Sequence, residues 1–256
     1  MSTANPDRRP DLPTRGCAAF FDFDGTLVDL APTPEEIVVA PGLPQLLADL
    51  RHQLVGAVAV VSGRPVTAID AYLSPQRFCS AGVHGAEWRG PDEEIHRMPA
   101  PRLDAVYEPL EALRMRFPAL RVERKPGAIA LHYRQAPELE AVCLDAMHAA
   151  LERVEGMVLL GGKFVIELKP QGASKAAAVR RFMEQAPFKY RRPWFFGDDV
   201  TDEGAFEAVR VAGGVTIKVG PGETIADYRL DAASDVLRWI DHAIRHLEAA
   251  SSEGAP

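Results

Sequence analysis

The sequence of 256 residues contains few cysteines, and they lie far apart. The three cysteines, Cys17, Cys79 and Cys143, form no CxxC pair. Zinc knuckles need closely spaced cysteines and disulfide frameworks need several, so the sequence indicates neither kind of site. We therefore expect a reduced protein with a cytoplasmic location.

Long apolar segments and an excess of basic residues are also lacking. The longest apolar run extends only from Leu54 to Val61, which is too short to span a bilayer. The arginine pair at residues 8–9 is followed by a proline-containing polar segment, unlike the apolar stretch of an export signal. The formal net charge is -7, whereas binders of nucleic acid or of anionic membranes need a basic surface. The sequence thus argues against nucleic-acid and membrane partners, and local cations would have to meet any anionic substrate.

Two aspartates stand at the end of an apolar run in the segment FFDFDGTL. Residues 17–21 predict a buried parallel strand, and residues two apart in a strand point to the same side. Asp22 and Asp24 should therefore converge at the carboxyl end of this strand, where open α/β sheets bind ligands. Two carboxylates held that close repel each other unless a cation or a shared proton lies between them. Ligation by oxygen alone favours Mg²⁺, so we expect a magnesium site.

The rest of the chain predicts an α/β fold in which a second domain interrupts the first. Apolar strands alternate with amphipathic helices on either side of residues 101–170. This pattern predicts a doubly wound, mainly parallel, Rossmann-like core formed by residues 15–100 and 171–250. The interrupting segment has the order αββαββ, which predicts a small sheet with helices on one face and an open opposite face. Residues 1–14 and 251–256 are predicted to be disordered tails.

Turn residues predict two further features of the fold, the start of a helix in the core and a hairpin in the inserted domain. Ser62 and Gly63 follow an apolar strand, and Pro65 suits the first position of the next helix. The backbone amides of Ser62 and Gly63 should therefore lie beside a helix amino terminus, which is a ready anion site. Within the inserted domain, Gly161 and Gly162 predict the turn of a hairpin.

Four segments of the core could meet at one edge of its sheet: DFDGTL, SGR, the lysine of GASK and GDDVTDE. Their order and contexts resemble the four motifs of the haloacid dehalogenase superfamily of aspartate-nucleophile phosphatases. The resemblance implies that Asp22 attacks phosphorus to form an aspartyl-phosphate. Asp24 would protonate the departing sugar oxygen and then activate water. Ser62 would hold phosphoryl oxygens, and Lys175 would neutralise their charge.

The same resemblance implies how the metal is held. Asp22, the carbonyl of Asp24 and Asp198 would ligate Mg²⁺, with Asp199 and Asp202 in or behind the metal shell. Asp202 and Glu203 also suit the first turn of a helix, where acidic residues are favoured, and for Glu203 we expect this structural role.

The inserted domain lies in the long gap between Ser62 and Lys175. This placement and the segments GVHGAE, ERK, HYR and GKFVIELKP resemble the trehalose-6-phosphate phosphatase family over about residues 17–240. The resemblance implies a phosphoric monoester hydrolase that uses Mg²⁺ to release phosphate from a small-molecule sugar phosphate, trehalose 6-phosphate, in the last step of trehalose biosynthesis. The insertion would be a cap that determines substrate specificity. An association with a trehalose-6-phosphate synthase is compatible with this interpretation.

Strand alternation places charged residues of the cap on one face. It puts Lys163, Val165, Glu167 and Lys169 on the same side of one strand, and Glu123 and Lys125 share a side of a neighbouring hairpin. Such donors and acceptors suit sugar hydroxyls, although a solvated face with cross-strand ion pairs is the alternative. The candidate substrate-binding residues are Gly63, Arg64, Glu123, Lys125, Lys163 and Glu167, with Arg124, His132 and Arg134 as weaker candidates. His84 and Glu87 in GVHGAE suit either a structural role in the loop or contact with a ligand.

Other functions remain open at this point. A phosphatase for another sugar phosphate, such as sucrose phosphate or a mannosyl-phosphoglycerate, would use the same core, but the charged set on the cap argues against it. A phosphotransferase or mutase would shield the aspartyl-phosphate from water. A catalytically inactive sensing module would not need Asp22, Asp24, Lys175 and Asp198.

Overall fold

The computed structural model describes residues 10–33 and 35–252, with twelve strands and seven α-helices in this part of the chain. The strands are β1 (Cys17–Phe21), β2 (Val58–Val61), β3 (Cys79–Gly82), β4 (Glu87–Arg89), β5 (Ile95–Arg97), β6 (Arg121–Lys125), β7 (Ala128–His132), β8 (Met157–Gly162), β9 (Val165–Pro170), β10 (Arg192–Gly197), β11 (Val215–Val219) and β12 (Tyr228–Leu230). The helices are α1 (Leu43–Gln53), α2 (Val66–Leu73), α3 (Asp104–Arg116), α4 (Glu140–Leu151), α5 (Lys175–Met183), α6 (Val200–Val211) and α7 (Ala233–Ser252).

The chain divides into two compact units. The first combines Met1–Ile95 with Ser174–Pro256, and the second is His96–Ala173, a few residues wider at each end than the predicted insertion 101–170. Most of the predicted tail 1–14 lies outside the described residues, as do residues 253–256. In the described part of these segments, Pro10 is buried and α7 continues to Ser252. That the second unit acts as a cap stays a prediction.

The sheet of the first unit has the strand order β12-β11-β10-β1-β2-β3-β4-β5. The pairs from β12 to β3 are parallel, and β3 and β4 are antiparallel. The chain runs outward from β1 through β2 and β3, and later outward from β10 through β11 and β12. The direction of winding thus reverses between β1 and β10, and ligands of open α/β sheets bind outside the strand ends at such a point. The predicted fold class, an α/β doubly wound and mainly parallel sheet, is confirmed.

Helices cover both faces of this sheet, as the aromatic contacts of β10 demonstrate. The rings of Trp194 and Phe196 lie 5.4 and 4.7 Å from that of Trp239 on α7, between ring centroids. The ring of Phe195 lies 5.8 Å from that of Phe206 on α6. Neighbouring residues of a strand point to opposite faces, so α6 and α7 lie on opposite sides of the sheet. The burial of both faces explains why strands such as β1, with sequence CAAFF, are apolar throughout.

The second unit contains an antiparallel sheet with the order β6-β7-β9-β8. Ile129, Leu131, Ile166 and Leu168 of the sheet share a hydrophobic core with residues of α3 and α4. This core has no residue in common with the larger core of the first unit. By alternation, the opposite face of this sheet carries Glu123 and Lys125 of β6 and Glu167 and Lys169 of β9.

The structure corrects several element boundaries. The hairpin between β8 and β9 turns at Lys163 and Phe164 rather than at the predicted Gly161 and Gly162, which belong to β8. Lys163 is therefore a turn residue and does not share a strand face with Glu167. Helix α2 begins at Val66, so Pro65 is its N-cap and not its first residue. Three short strands, β4, β5 and β12, were not predicted. In the described residues, no helix combines the length and the apolar composition that crossing a membrane requires.

Candidate active site

A buried lysine links two aspartates at the carboxyl end of β1. Nζ of Lys175 lies 2.8 Å from Oδ1 of Asp22 and 2.7 Å from Oδ1 of Asp202. Asp22 directly follows β1, and Lys175 is the first residue of α5, whose N-cap Ser174 accepts a hydrogen bond from the amide of Ala177. All three charged side chains are buried. The structure thus brings together two residues that lie more than half the chain apart in sequence.

Asp198 completes a cluster of three carboxylates with Asp22 and Asp202. One oxygen of each side chain lies within 4.8 Å of the others. Asp198 directly follows β10, the neighbour of β1 across the point where the winding reverses. Oδ2 of Asp202 accepts hydrogen bonds from the amides of Asp198 and Asp199, at 3.1 and 3.0 Å, which fixes the turn that carries Asp198.

Burial and mutual repulsion shift the pKa values within this cluster. Burial and the nearby charge of Asp202 raise the pKa of Asp198 to about 6. Burial also raises the pKa of Asp22, against the opposing effect of Lys175. Burial alone would lower the pKa of Lys175, but the charges of Asp202 and Asp22 outweigh it and raise that pKa. One ammonium group therefore does not fully offset the three carboxylates, and a further cation would stabilise their ionised forms.

The donor set fits Mg²⁺, because it consists of oxygen atoms from three converging carboxylates. The backbone at Gly25 supports this interpretation. Gly25 has φ +80°, and a Cβ atom at this position would collide with the carboxylate of Asp198. The loop after β1 therefore approaches Asp198 as closely as a glycine permits, which shapes one wall of the cluster.

Asp24 lies outside the carboxylate cluster, and its side chain is engaged by an arginine. Nε and Nη2 of Arg64 each lie 2.7 Å from a different carboxylate oxygen of Asp24. This bidentate geometry orients the carboxylate as well as compensating its charge. The structure thus places Arg64, a predicted substrate-binding residue, against the predicted acid and base. The metal contact predicted for the carbonyl of Asp24 stays a prediction.

Ser62 follows β2, the strand next to β1, and is buried. Its Oγ accepts a hydrogen bond of 3.1 Å from the amide of Arg64, so the hydroxyl proton remains to be donated. The amide of Ser62, predicted to form an anion site together with that of Gly63, instead donates a hydrogen bond of 2.8 Å to the carbonyl of Ala81 in β3. Oε1 of the buried Glu87 already accepts a hydrogen bond of 2.6 Å from the first amide of α2, at Val66. The side chain of Glu87 therefore occupies this helix terminus.

The candidates on the second unit form two pairs across its sheet. Nζ of Lys125 lies 2.8 Å from Oε2 of Glu167, and both side chains are nearly inaccessible. Nε2 of His132 lies 2.9 Å from Oε2 of Glu123. Burial would raise the pKa of Glu123, but the hydrogen bond with His132 and the charge of Lys125 lower it. Arg124 lies on the other side of the strand, where it pairs with Asp104 and stacks on Tyr107.

Lys218, at the end of β11, was not predicted from the sequence. Its buried Nζ donates hydrogen bonds to the carbonyl oxygens of Asp198 and Val219. A lysine near the carboxyl end of the strand VTIKV, which is otherwise uncharged, was the available signal. Glu203 accepts a hydrogen bond from the amide of Ile225, which supports its predicted structural role. Asp199 is the N-cap of α6 and does not belong to the carboxylate cluster.

The comparison with known proteins identifies the family. The model of the trehalose-phosphatase family matches residues 20–234. The chain belongs to this family. A trehalose-6-phosphate phosphatase of Escherichia coli K12 is 40% identical over 226 residues, which cover 88% of this chain and 85% of that protein. A probable trehalose-phosphate phosphatase of Sinorhizobium fredii is 40% identical over 206 residues, which cover 80% and 78% of the two chains. The predicted membership of this family of phosphoric monoester hydrolases is confirmed.

Solved structures share the fold. The crystal structure of a trehalose-6-phosphate phosphatase related protein has a TM-score of 0.74 and 28% identity, covering 90% of this chain and 97% of that one. The C-terminal domain of Candida albicans trehalose-6-phosphate phosphatase has a TM-score of 0.78 with 20% identity, covering 90% and 92%. The second similarity concerns the fold alone.

Proposed function

We propose that the protein hydrolyses trehalose 6-phosphate to trehalose and phosphate, with Mg²⁺, through an aspartyl-phosphate on Asp22. The observation that carries this proposal is the buried cluster in which Lys175 contacts Asp22 and Asp202 beside Asp198. The cluster lies where the winding of the sheet reverses, and the chain belongs to the trehalose-phosphatase family. A nucleophile, a cation and a set of metal ligands are the groups that phosphoryl transfer requires.

In the first step, a carboxylate oxygen of Asp22 forms a bond to phosphorus while the bond between phosphorus and the sugar oxygen breaks. Asp24 gives its proton to that sugar oxygen. In the second step, Asp24 takes a proton from a water molecule whose oxygen attacks phosphorus, and the bond to Asp22 breaks. Lys175 compensates phosphoryl charge, and the hydroxyl of Ser62 donates to a phosphoryl oxygen. Mg²⁺, when held by Asp22, Asp198 and Asp202, supplies further positive charge at the phosphoryl group.

Recognition of the sugar is assigned to the helix-free face of the sheet in the second unit. Glu123, Lys125 and Glu167 there supply both acceptors and donors, which two linked glucose rings need for their hydroxyl groups. Lys163 lies in the turn between β8 and β9, so its contact with the sugar would come from that turn. A phosphatase for another sugar phosphate is the alternative, because the same core chemistry would serve it.

A substrate panel tests the assignment of the substrate. Purified protein with Mg²⁺ should release phosphate from trehalose 6-phosphate with a kcat/KM at least about tenfold above that for glucose 6-phosphate or sucrose 6-phosphate. The control is Asp22→Asn, which keeps the size of the side chain but removes the nucleophile, so phosphate release should stop. Equal rates on all three esters would show that the second unit does not select a disaccharide. Interconversion of phosphosugars without phosphate release would support a mutase instead.

The covalent intermediate has a separate test. Asp24→Asn cannot activate water, but p-nitrophenyl phosphate needs no protonation of its leaving group. This variant should therefore release about one equivalent of p-nitrophenol per enzyme rapidly and then turn over slowly. Mass spectrometry should find one phosphate on the protein, removable by hydroxylamine, and none on Asp22→Asn. A lack of both the burst and the labelled protein would rule out the aspartyl-phosphate. The cytoplasmic location and the synthase partner stay predictions.

A further inference from the structure

We propose that Arg64 and Glu87 are positioning residues that aim Asp24 at the reacting oxygen atoms, and that the GVHGAE segment exists to hold Arg64. This inference rests on the proposed role of Asp24 as acid and base. It changes the role of Arg64 from substrate binding to orientation, and it gives Glu87 a role in the reaction that the mechanism above does not use.

The guanidinium group of Arg64 is committed to Asp24. Two of its nitrogen atoms contact the two carboxylate oxygens at 2.7 Å each, and 13% of the arginine side chain is exposed. The guanidinium carbon also lies 5.1 Å from the centroid of the Tyr72 ring and 5.9 Å from that of Phe23. A planar fork held over aromatic rings fixes both the position and the plane of the carboxylate, which a single positive charge would not do.

The backbone of Arg64 is held by the segment after β3. Its carbonyl accepts a hydrogen bond of 3.0 Å from the amide of Val83, and the amide of His84 donates one of 3.0 Å to the carbonyl of Ser62. Gly82 allows this approach, because a Cβ atom there would lie 2.6 Å from the carbonyl oxygen of Arg64. Gly63 likewise leaves room for the ring of His84, which a Cβ atom would meet at 2.6 Å. The two loops therefore pack closely, and the ring of His84 fills the space that a side chain at residue 63 would need.

Glu87 fixes the other end of the Arg64 loop. Its fully buried side chain accepts the hydrogen bond of 2.6 Å from the amide of Val66, two residues after Arg64. Without this acceptor, a buried amide at the start of α2 would lose its partner. The chain of contacts then runs from Glu87 through Val66 to Arg64 and on to Asp24. A displacement at Glu87 would reach Asp24 through the backbone, so the effect on the reaction should be larger than the effect on substrate binding.

Four variants test this chain of contacts from Glu87 through Val66 and Arg64 to Asp24, which we call the relay. Arg64→Met removes the fork but keeps the length and apolar stem of the side chain, and Arg64→Lys keeps the charge without the fork. Glu87→Met removes the acceptor at similar size, and Glu87→Gln keeps an acceptor oxygen and serves as the matched control. For hydrolysis of the sugar phosphate, Arg64→Met should lower kcat about tenfold to a hundredfold with less than about a twofold change in KM. Glu87→Met should lower kcat severalfold, and Glu87→Gln should approach the wild type.

Two readouts separate positioning from a general loss of structure. Arg64→Met should still release its first equivalent of p-nitrophenol from p-nitrophenyl phosphate at the wild-type rate, since that step needs no acid. The double variant Arg64→Met with Glu87→Met should be no slower than Arg64→Met alone, because both changes act through the same carboxylate. A rise in KM without a fall in kcat, or losses that multiply in the double variant, would overturn the relay.

Comparison of Arg64→Met with Asp24→Asn distinguishes a failure of this inference from a failure of the proposed function. If Asp24→Asn slows the sugar phosphate reaction and Arg64→Met does not, the mechanism stands and the relay is wrong. If Asp24→Asn has no effect, the proposed mechanism itself is wrong. Thermal unfolding of each variant shows whether it is folded, and Arg64→Met and Arg64→Lys keep the relay testable if Glu87→Met does not fold.

Discussion

At the scale of single residues, protons would compete with the proposed Mg²⁺ for the carboxylate cluster. The pKa of Asp198 lies at about 6 because burial and Asp202 disfavour its ionised form. A metal ligand must be deprotonated, so below this value each bound Mg²⁺ has to displace a proton. We expect the Kd for Mg²⁺ to rise at least about tenfold per pH unit below about pH 6, and more steeply where Asp22, whose pKa is also raised, takes up a proton as well. Calorimetry at several pH values, in buffers with different heats of ionisation, measures both the affinity and the released protons.

The matched variant for this measurement is Asp199→Asn. Asp199 is adjacent in sequence but lies outside the cluster, and asparagine is an equally good N-cap residue. This variant should bind Mg²⁺ about as tightly as the wild type near neutral pH, with the pH dependence moved slightly lower because the charge of Asp199 contributes to the raised pKa of Asp198, whereas Asp198→Asn should bind Mg²⁺ much more weakly. An affinity that does not change with pH would show that the cluster is not the magnesium site.

A second prediction at this scale concerns the stability and the Mg²⁺ affinity of the variant Gly25→Ala. Alanine at this position would be strained by the positive φ and would also press on the carboxylate of Asp198. Gly213 has φ +70°, but a Cβ atom there would meet no other atom within 4 Å, so Gly213→Ala is a control for the backbone strain alone. Gly213→Ala should lose about 1–3 kcal/mol of unfolding free energy, and Gly25→Ala should lose more because of the added clash with Asp198. Only Gly25→Ala should also lose Mg²⁺ affinity, as measured by calorimetry. Equal affinities in the two variants would contradict the proposal that the close approach of the Gly25 loop to Asp198 shapes the metal site.

At the scale of elements, the sheet of the second unit contains a buried ion pair. Lys125 on β6 and Glu167 on β9 compensate each other almost without solvent, so Lys125→Met would remove the ammonium group that lies 2.8 Å from a buried carboxylate. We expect a loss of about 3–5 kcal/mol in unfolding free energy, partly restored by adding Glu167→Leu. The control is Arg124→Met on the same strand, which breaks an exposed pair with Asp104 and should cost about 1 kcal/mol or less.

The same variants bear on substrate recognition. Lys125→Met and the double variant should both raise KM for trehalose 6-phosphate, because each removes groups that are proposed to bind the sugar. Both should hydrolyse p-nitrophenyl phosphate like the wild type. Steady-state kinetics on the two substrates separates these effects. An unchanged KM for the sugar phosphate would leave the pair with a structural role alone.

Strands that are buried on both faces of the sheet could be predicted from the sequence. Strands such as β1 and β10 are covered on both faces, so they appear as continuous apolar runs. β4, β5 and β12 have three residues each, too few to show a period. The turn between β8 and β9 was predicted at the wrong residues because Phe164 adopts φ +63° there. Residues with bulky side chains rarely adopt this conformation, so the sequence does not predict a turn at Phe164.

Some residues of the candidate site could likewise be placed from the sequence, whereas some of its contacts could not. Asp22, Lys175 and Asp198 could be placed because each lies next to a strand end or a helix start, where topology fixes its neighbours. The pairing of Arg64 with Asp24 joins residues 40 positions apart and depends on where the guanidinium group finds its partner. The same holds for Glu87, whose acceptor role depends on a helix start 21 positions earlier in the chain. Such contacts follow from packing in three dimensions, which no local pattern encodes.

At the scale of the whole molecule, the two units have separate hydrophobic cores, with no residue in both. A unit with its own core is expected to fold by itself, so the first unit should survive removal of the second. Excision of residues 98–173, with a flexible glycine-serine linker from Arg97 to Ser174, keeps all of β5 in the sheet. Circular dichroism and cooperative thermal unfolding should show that this variant is folded.

The excised protein retains Asp22, Asp24, Lys175 and the carboxylate cluster, and it lacks the charged face of the second unit. It should therefore hydrolyse p-nitrophenyl phosphate with Mg²⁺, and its ratio of kcat/KM for trehalose 6-phosphate over glucose 6-phosphate should fall to within about threefold of one. The full-length protein carrying Lys125→Met with Glu167→Leu is the matched control, because it changes the face without removing the unit. If the excised protein keeps the selectivity of the wild type, recognition of the disaccharide belongs to the core and not to the second unit.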